Sequence, residues 1–392
     1  MARYLVYTSP ARGHLYPIVP ALQVLRERGH DVHVRTLGSE VPVLADLGME
    51  AAPIDPAIED AQLDDWKATT PTGAMENLMA VFSKRAELEL HDLRSAIDSV
   101  RPDALVVDIT TPGAAAVAEA SDLPWARWIP FFLHTGLVPD LIRRAAFLPF
   151  ALHHRGLEVL NECRVAAGLQ GLARVDDAWT ASLELYLTAP PFEPGAELPA
   201  AVKIVGPGIW EPPAEVPSSV EDLPGPLVLV SASSEYQRDD ALIGSSLAGL
   251  GGEDLGIAVS TVAHDPSAFD APPNASVVRW FPHGPLLDRA ACVVCHGGMG
   301  VTQKALAAGV PVCVVPFGRD QFDVAQRVVE TGSGTMVPPD SLTPEALRDA
   351  VHQAISLRAG ASAVRQGFRR AGGPELHADA IEAVAGTPAL TP

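Results

Sequence analysis

Two residues far apart in the chain have the side-chain types that take a proton from a hydroxyl. His14 stands in the loop Pro10-Ala11-Arg12-Gly13-His14, and Asp108 closes the apolar run Ala104-Leu105-Val106-Val107. An imidazole accepts a proton near neutral pH, and a carboxylate beside it orients the ring and stabilises its charged form. Each residue also has a plainer reading, His14 as a packing residue at a helix start and Asp108 as a helix N-cap. A third constellation, His296-Gly297-Gly298-Met299-Gly300-Val301-Thr302, lies between a strand-like and a helix-like segment. Its glycines expose backbone N–H groups at a helix N-terminus, where a phosphate is favoured, although such a turn also serves close strand–helix packing. Finally, Asp320-Gln321 follows Val312-Cys313-Val314-Val315-Pro316-Phe317-Gly318. A carboxylate beside an amide suits sugar hydroxyls, and the competing reading is again an N-cap.

The elements that must position these residues alternate between strand and helix. Tyr4 to Thr8 reads as a strand, Ile18, Leu22 and Leu25 recur at helical spacing, and Val32 to Thr36 alternates as a second strand. Ala104 to Val107, Gly113 to Ala120 and Ala126 to Ile129 continue the pattern, which favours a parallel sheet covered by helices on both faces. The stretch from Asp55 to Leu93 is less regular; a core-packing helix or a substrate-facing lid both fit it. Ten of the 36 prolines fall between Pro190 and Pro226, and Glu211 to Leu223 has few apolar side chains. Alternation resumes with strands at Leu227–Ser231, Ile257–Val262, Val277–Trp280, Cys292–Cys295, Val312–Val315 and Thr335–Val337. The expected organisation is a domain over 1–208, a Pro-rich linker over 209–225, a second domain over 226–370 and a final helical segment over 371–392 that returns to the first domain. The fold class is α/β, with two facing doubly wound, Rossmann-like domains and a ligand cleft at the carboxyl ends of their strands.

Composition narrows the function. The net charge of −20 argues against nucleic-acid binding and against docking on an anionic membrane, while leaving room for a local anion pocket. The four cysteines (Cys163, Cys292, Cys295, Cys313) do not form a disulfide framework, and the start of the chain does not read as a signal peptide. The longest apolar stretch, Ala305 to Gly318, is too short to span a bilayer and is broken by Gly309 and Pro311. A cytoplasmic protein, monomer or homodimer, is the expectation. There is no Asp-X-Asp, and Cys292-Val293-Val294-Cys295 lacks a second ligand pair, so no metal is expected.

Taken together, Gly13-His14 with Pro17, Asp108, Trp280-Phe281-Pro282-His283, the His296 turn and Pro316-Phe317-Gly318-Arg319-Asp320-Gln321 resemble the family 1 glycosyltransferases, in the order found there. The likeness is to the bacterial macrolide and polyketide enzymes and covers almost the whole chain. It implies a GT-B fold, with the acceptor on the N-terminal domain and the nucleotide-sugar on the C-terminal one. It implies His14 as general base with Asp108 as its partner, and Trp280 stacking on the nucleotide base. His296, Gly298, Gly300, Val301 and Thr302 would hold the diphosphate. Asp320 and Gln321 would hold the donor sugar, and Gly13, Ser233, Phe281 and His283 would complete the donor site. Tyr16, Trp66, Met75, Met79, Phe82, Phe131 and Phe132 are expected to contact the acceptor.

The chain departs from the family pattern at two positions. Lys304 stands where many relatives carry a ribose-binding Glu, and a cation cannot accept those hydrogen bonds. His283 stands where plant relatives have Gln. The function expected is inverting transfer of a sugar from a UDP- or TDP-sugar to a hydroxyl of a hydrophobic aromatic or polyketide-like molecule, with no resident cofactor. The rivals are a nucleotide-sugar epimerase of similar fold and a non-catalytic helper protein.

Overall fold

The structure is a computed structural model that describes residues 1–132, 154–178, 180–193, 198 and 200–386. The described residues fall into two compact units. Unit 1 takes in Met1–Thr188, Gly195–Gly208 and Gly372–Pro392; unit 2 takes in Ala189–Pro194 and Ile209–Ala371. The proline-rich region is therefore shared between the units. Glu211 and the short helix Ser218–Glu221, with Val220 buried, belong to unit 2.

Unit 1 is built on a seven-stranded parallel sheet ordered β3-β2-β1-β4-β5-β6-β7. Its strands are β1 (Arg3–Tyr7), β2 (Asp31–Thr36), β3 (Glu50–Pro53), β4 (Ala104–Asp108), β5 (Trp125–Ile129), β6 (Leu183–Tyr186) and β7 (Val202–Ile204). The central strands are apolar because both faces are covered; every residue of β4 and β5 is buried. The direction in which the chain progresses across the sheet reverses between β1 and β4, which pair in register from Tyr4↔Ala104 to Tyr7↔Val107. At such a switch point the loops leaving two neighbouring strands run to opposite sides and open a crevice. Residues 9–14 and 108–111 are the segments that leave there.

The irregular-looking stretch after Asp55 contains a 30-residue helix, Pro71–Val100. Thr70 caps it through the Gly73 N–H, Pro71 occupies its first turn, and Arg101 ends it in the left-handed region at φ 52°. Met75, Leu78, Met79, Phe82, Ala86, Leu90 and Leu93 form its buried stripe. Charged residues interleaved with that stripe, Lys84, Arg85, Glu87 and Glu89 among them, mask the helical period in the sequence. The helix packs closely on Pro112–Ala120: a Cβ added at Gly113 would lie 2.0 Å from the Ala86 carbonyl oxygen. This contact seats the segment that follows Asp108. The helix Pro374–Ala385 also packs within unit 1; its His377 imidazole bonds the Val205 carbonyl at 2.8 Å.

Unit 2 repeats the plan with six parallel strands ordered β10-β9-β8-β11-β12-β13. These are β8 (Leu227–Ser231), β9 (Gly256–Ser260), β10 (Ala275–Val278), β11 (Ala290–Cys295), β12 (Val312–Val314) and β13 (Gly334–Met336). Val228, Val230, Ile257, Val259, Cys292, Val294 and Cys313 lie in its core. Here the reversal falls between β8 and β11, so the loop carrying Ser233 and the turn beginning at His296 leave from the switch point. Trp280 stands beyond the end of β10 rather than within it. Among the described residues, no helix is long and apolar enough to cross a membrane.

Candidate active site and nucleotide site

In unit 1, His14 sits on the short helix Arg12–Leu15, immediately after β1 and its following turn. Its Nδ1 lies 3.0 Å from both carboxylate oxygens of Asp108, and its side chain is 22% exposed. Asp108 is fully buried at the end of β4. Ser9 donates to its Oδ2 from the backbone N–H at 3.1 Å and from the hydroxyl at 2.7 Å. Thr110 donates to its Oδ1 in the same two ways, at 2.9 and 3.0 Å. Burial would push this carboxyl up, but His14 and the surrounding donors outweigh burial and hold it below the ordinary carboxylate value. Asp108 is therefore ionised and only accepts, which assigns the Nδ1 proton to the bond between them and leaves the lone pair on Nε2. The Trp128 indole N–H donates to the His14 carbonyl at 3.1 Å, and the Phe131 ring lies 5.9 Å from the imidazole, fixing the backbone and the ring. Ser9, Thr110 and Trp128 are functional supports that the sequence does not single out. Their only signal is position, at the end of a strand or two residues beyond it.

The other unit 1 candidates are arranged unequally. Tyr16 donates to Glu40 at 3.0 Å, and Arg12 donates to the same carboxylate at 2.6 Å. Burial, then Glu40, raise the Tyr16 hydroxyl far above its usual value. Trp66 is half-buried, with the Lys67 ammonium 5.4 Å from its ring. Met75, Met79, Phe82, Phe131 and Phe132 are buried; Met79 at 0% and Phe132 at 2% exposure offer no open face for a ligand to stack on. Gly13, next to His14, is exposed, with open space where a Cβ would stand.

In unit 2, the chain turns from β11 into the helix Met299–Ala308 through His296-Gly297-Gly298. Gly297 has φ 93°, and a Cβ at Gly298 would lie 2.5 Å from His296 Nε2, so the turn requires both glycines. The amides of the first turn, Met299, Gly300 and Val301, precede the first intrahelical bond, from the Thr302 N–H to the Gly298 carbonyl. His296 is 9% exposed, donates to the Ser231 backbone, and keeps a buried Nδ1 with no partner in the protein. Burial holds the imidazole below its ordinary value, against the opposing pull of Asp239, so it is neutral at pH 7. Thr302 is buried against Cys295, 3.6 Å from its thiol.

The loop after β8 is braced throughout. Asp239 accepts the Ser233 N–H at 2.6 Å and pairs with His264 at 2.7 Å. The Ser233 hydroxyl accepts from Gln237 at 2.6 Å, and Gln237 in turn accepts from Gln321 at 2.6 Å. Gln321 also accepts the Phe317 and Gly318 N–H groups at 2.7 and 3.2 Å and is 2% exposed. Its amide thus holds the 317–321 loop together. Half-buried Asp320 stands at the N-cap position of Gln321–Glu330 without making a capping bond. Its charge adds to burial in raising Asp323 to about 7.

Trp280 is 37% exposed, whereas Phe281 is buried at 1% and packs on His283 at 5.1 Å. His283 is also buried, and burial with the nearby Lys304 cation pushes it down to about 4. The His283 and Gly284 N–H groups both donate to Glu211, at 3.1 and 2.6 Å, and Lys304 pairs with that carboxylate at 2.5 Å. Nothing in the linker-like sequence around Glu211 marks it for this place. Among the described residues, no group of three or more His, Cys, Asp or Glu could hold a metal ion.

Known proteins share this architecture. Residues 246–381 match the C-terminal domain of the erythromycin biosynthesis protein CIII-like family. The chain is 27% identical to 4'-demethylrebeccamycin synthase of Lentzea aerocolonigenes, over 90% of this chain and 92% of that one. Its fold is similar to that of the calicheamicin glycosyltransferase CalG4, with a TM-score of 0.79, 23% identity and complete coverage of both chains. The glycosyltransferase VinC, solved in complex with dTDP, has a TM-score of 0.72 at 23% identity, over 98% of this chain and 99% of that one.

Proposed function

We propose that this chain is a glycosyltransferase of the two-domain GT-B type that moves a sugar with inversion from a UDP- or TDP-sugar to a hydroxyl of a hydrophobic aromatic or polyketide-like molecule. The observation that carries this reading is the His14–Asp108 pair: a buried, ionised carboxylate on Nδ1 leaves Nε2 as the base. His14 takes the acceptor hydroxyl proton as that oxygen bonds the anomeric carbon. The bond from that carbon to the diphosphate oxygen breaks, and the nucleoside diphosphate leaves with the electron pair. Asp108 stabilises the imidazolium so formed.

In unit 2, Trp280 offers an exposed face for the pyrimidine base. The amides at the start of Met299–Ala308 meet the charge that grows on the departing diphosphate, whereas the His296 Nδ1, a lone pair in a neutral ring that donates to Ser231, can only accept. In this reading those amide dipoles stabilise the leaving group. Asp320 is the acceptor for donor-sugar hydroxyls, because the Gln321 amide is engaged by its own loop. Tyr16 and Trp66 are the aromatic candidates for the acceptor, since they keep exposed surface.

The test is product analysis with UDP- and TDP-sugars and a panel of hydrophobic phenols and polyketides. Release of nucleoside diphosphate in step with a new glycoside is expected. An isomerised donor without glycoside would make the protein an epimerase, and failure to bind any nucleotide would make it a helper.

A further inference from the structure

We propose that the Glu211–Lys304 ion pair reads the nucleoside sugar of the donor and selects 2'-deoxyribose over ribose. The inference rests on the donor reading above. A nucleoside diphosphate is linked in the order base, pentose, diphosphate, and unit 2 supplies a platform for each end: exposed Trp280 for the base and the His296 turn for the diphosphate. The ion pair connects those two platforms. Glu211 is bonded to the backbone three and four residues beyond Trp280. Lys304 stands one helical turn below Gly300, about 6 Å along the same face. Both side chains keep some exposure, 15% for Lys304 and 17% for Glu211, so the pair is within reach of a ligand.

The selection follows from counting lone pairs. A carboxylate offers about four acceptor positions, two on each oxygen. Glu211 Oε2 takes the His283 N–H and the Lys304 ammonium, and Oε1 takes the Gly284 N–H. One position remains. A deoxyribose brings one hydroxyl proton and is satisfied; a ribose brings two, and the second finds no acceptor in the pair. The remaining Lys304 protons can serve a hydroxyl oxygen but cannot accept its proton. Leaving one buried hydroxyl unsatisfied costs enough to be read as a difference in affinity of roughly fivefold or more.

The experiment is titration of the full-length chain with UDP, dUDP and TDP by calorimetry. UDP against dUDP isolates the 2'-hydroxyl, and dUDP against TDP isolates the base methyl. The wild type should bind dUDP roughly fivefold or more tightly than UDP. Lys304→Met frees the second Oε2 position and should bring the two within about twofold by improving UDP, with the ratio of TDP to dUDP unchanged. Lys304→Arg, which keeps the donor, should retain the preference, and Lys304→Leu, which likewise has no donor, replaces the Met variant if that one does not fold. Equal binding of UDP and dUDP by the wild type would overturn the proposal, as would a preference that survives Lys304→Met. Binding of none of the three would instead remove the donor reading on which it rests.

Discussion

His14 and Asp108 are 94 residues apart in sequence, yet a single imidazole nitrogen lies 3.0 Å from both oxygens of the carboxylate. The sheet order produces this meeting. β1 and β4 are hydrogen-bonded neighbours in parallel register, and the chain leaves both at the point where the strand order reverses. Four donor contacts from Ser9 and Thr110 keep Asp108 ionised in a fully buried position.

Replacing Asp108 by Asn keeps the shape and changes the hydrogen bonding. An amide NH2 facing Nδ1 drives the imidazole proton to Nε2, the atom needed as base. Turnover should fall by ~10²-fold or more. Steady-state kinetics at saturating donor check this, and an Asn variant within a few-fold of wild type would remove Asp108 from its orienting role.

Sugar recognition should depend on Asp320 separately from nucleotide recognition. Asp320→Ala is expected to weaken binding of the intact nucleotide-sugar by about tenfold, while binding of the free nucleoside diphosphate changes by less than about twofold. Calorimetry with both ligands distinguishes the two; equal losses would place Asp320 at the nucleotide instead.

The strands that carry the site were legible because both of their faces are buried. They needed no alternation of apolar and polar residues to be found: β4 and β8 read as unbroken apolar runs that end in Asp108 and Ser231. The strands β3, β6 and β7 have three or four residues each and mixed composition, too little for a period to register. The long helix was obscured by charges such as Arg85 and Glu89, which are buried by tertiary packing rather than exposed as their type suggests. Candidate residues in Gly-rich or strand-end positions could be named from sequence. Their supports could not: Ser9, Thr110, Glu211 and Asp239 converge on them only through register and the folding of loops.

Glu89 makes stability depend on pH in an unusual direction. It is buried on the long helix, accepts the Gly113 N–H at 2.9 Å, and burial raises its carboxyl to about 8. Because the folded value lies above the ordinary one, the folded chain holds a proton that the unfolded chain releases between about pH 4.5 and 8. The Glu89 contribution to stability is therefore fully present below that window and is lost as pH rises through it. Glu89→Gln cannot ionise, so its melting temperature should fall less than that of the wild type between pH 5 and pH 8. Parallel curves for the two proteins would show that Glu89 is ionised in the fold.

Gly113 tests the packing that seats the segment beyond Asp108. With the Ala86 carbonyl oxygen 2.0 Å from the point where a Cβ would stand, Gly113→Ala must push two helices apart. Chemical denaturation should show a loss of about 1–3 kcal/mol. Unchanged stability would mean that the helices are not held this closely.

The central claim is that His14 is the base for glycosyl transfer, and turnover of His14→Ala beside its donor affinity tests it most directly. Glycoside formation should fall by ~10²-fold or more, while the dissociation constant for the nucleotide-sugar stays within about twofold of wild type. Turnover close to that of the wild type would contradict the assignment, and with it the reading of the His14–Asp108 pair as the catalytic centre.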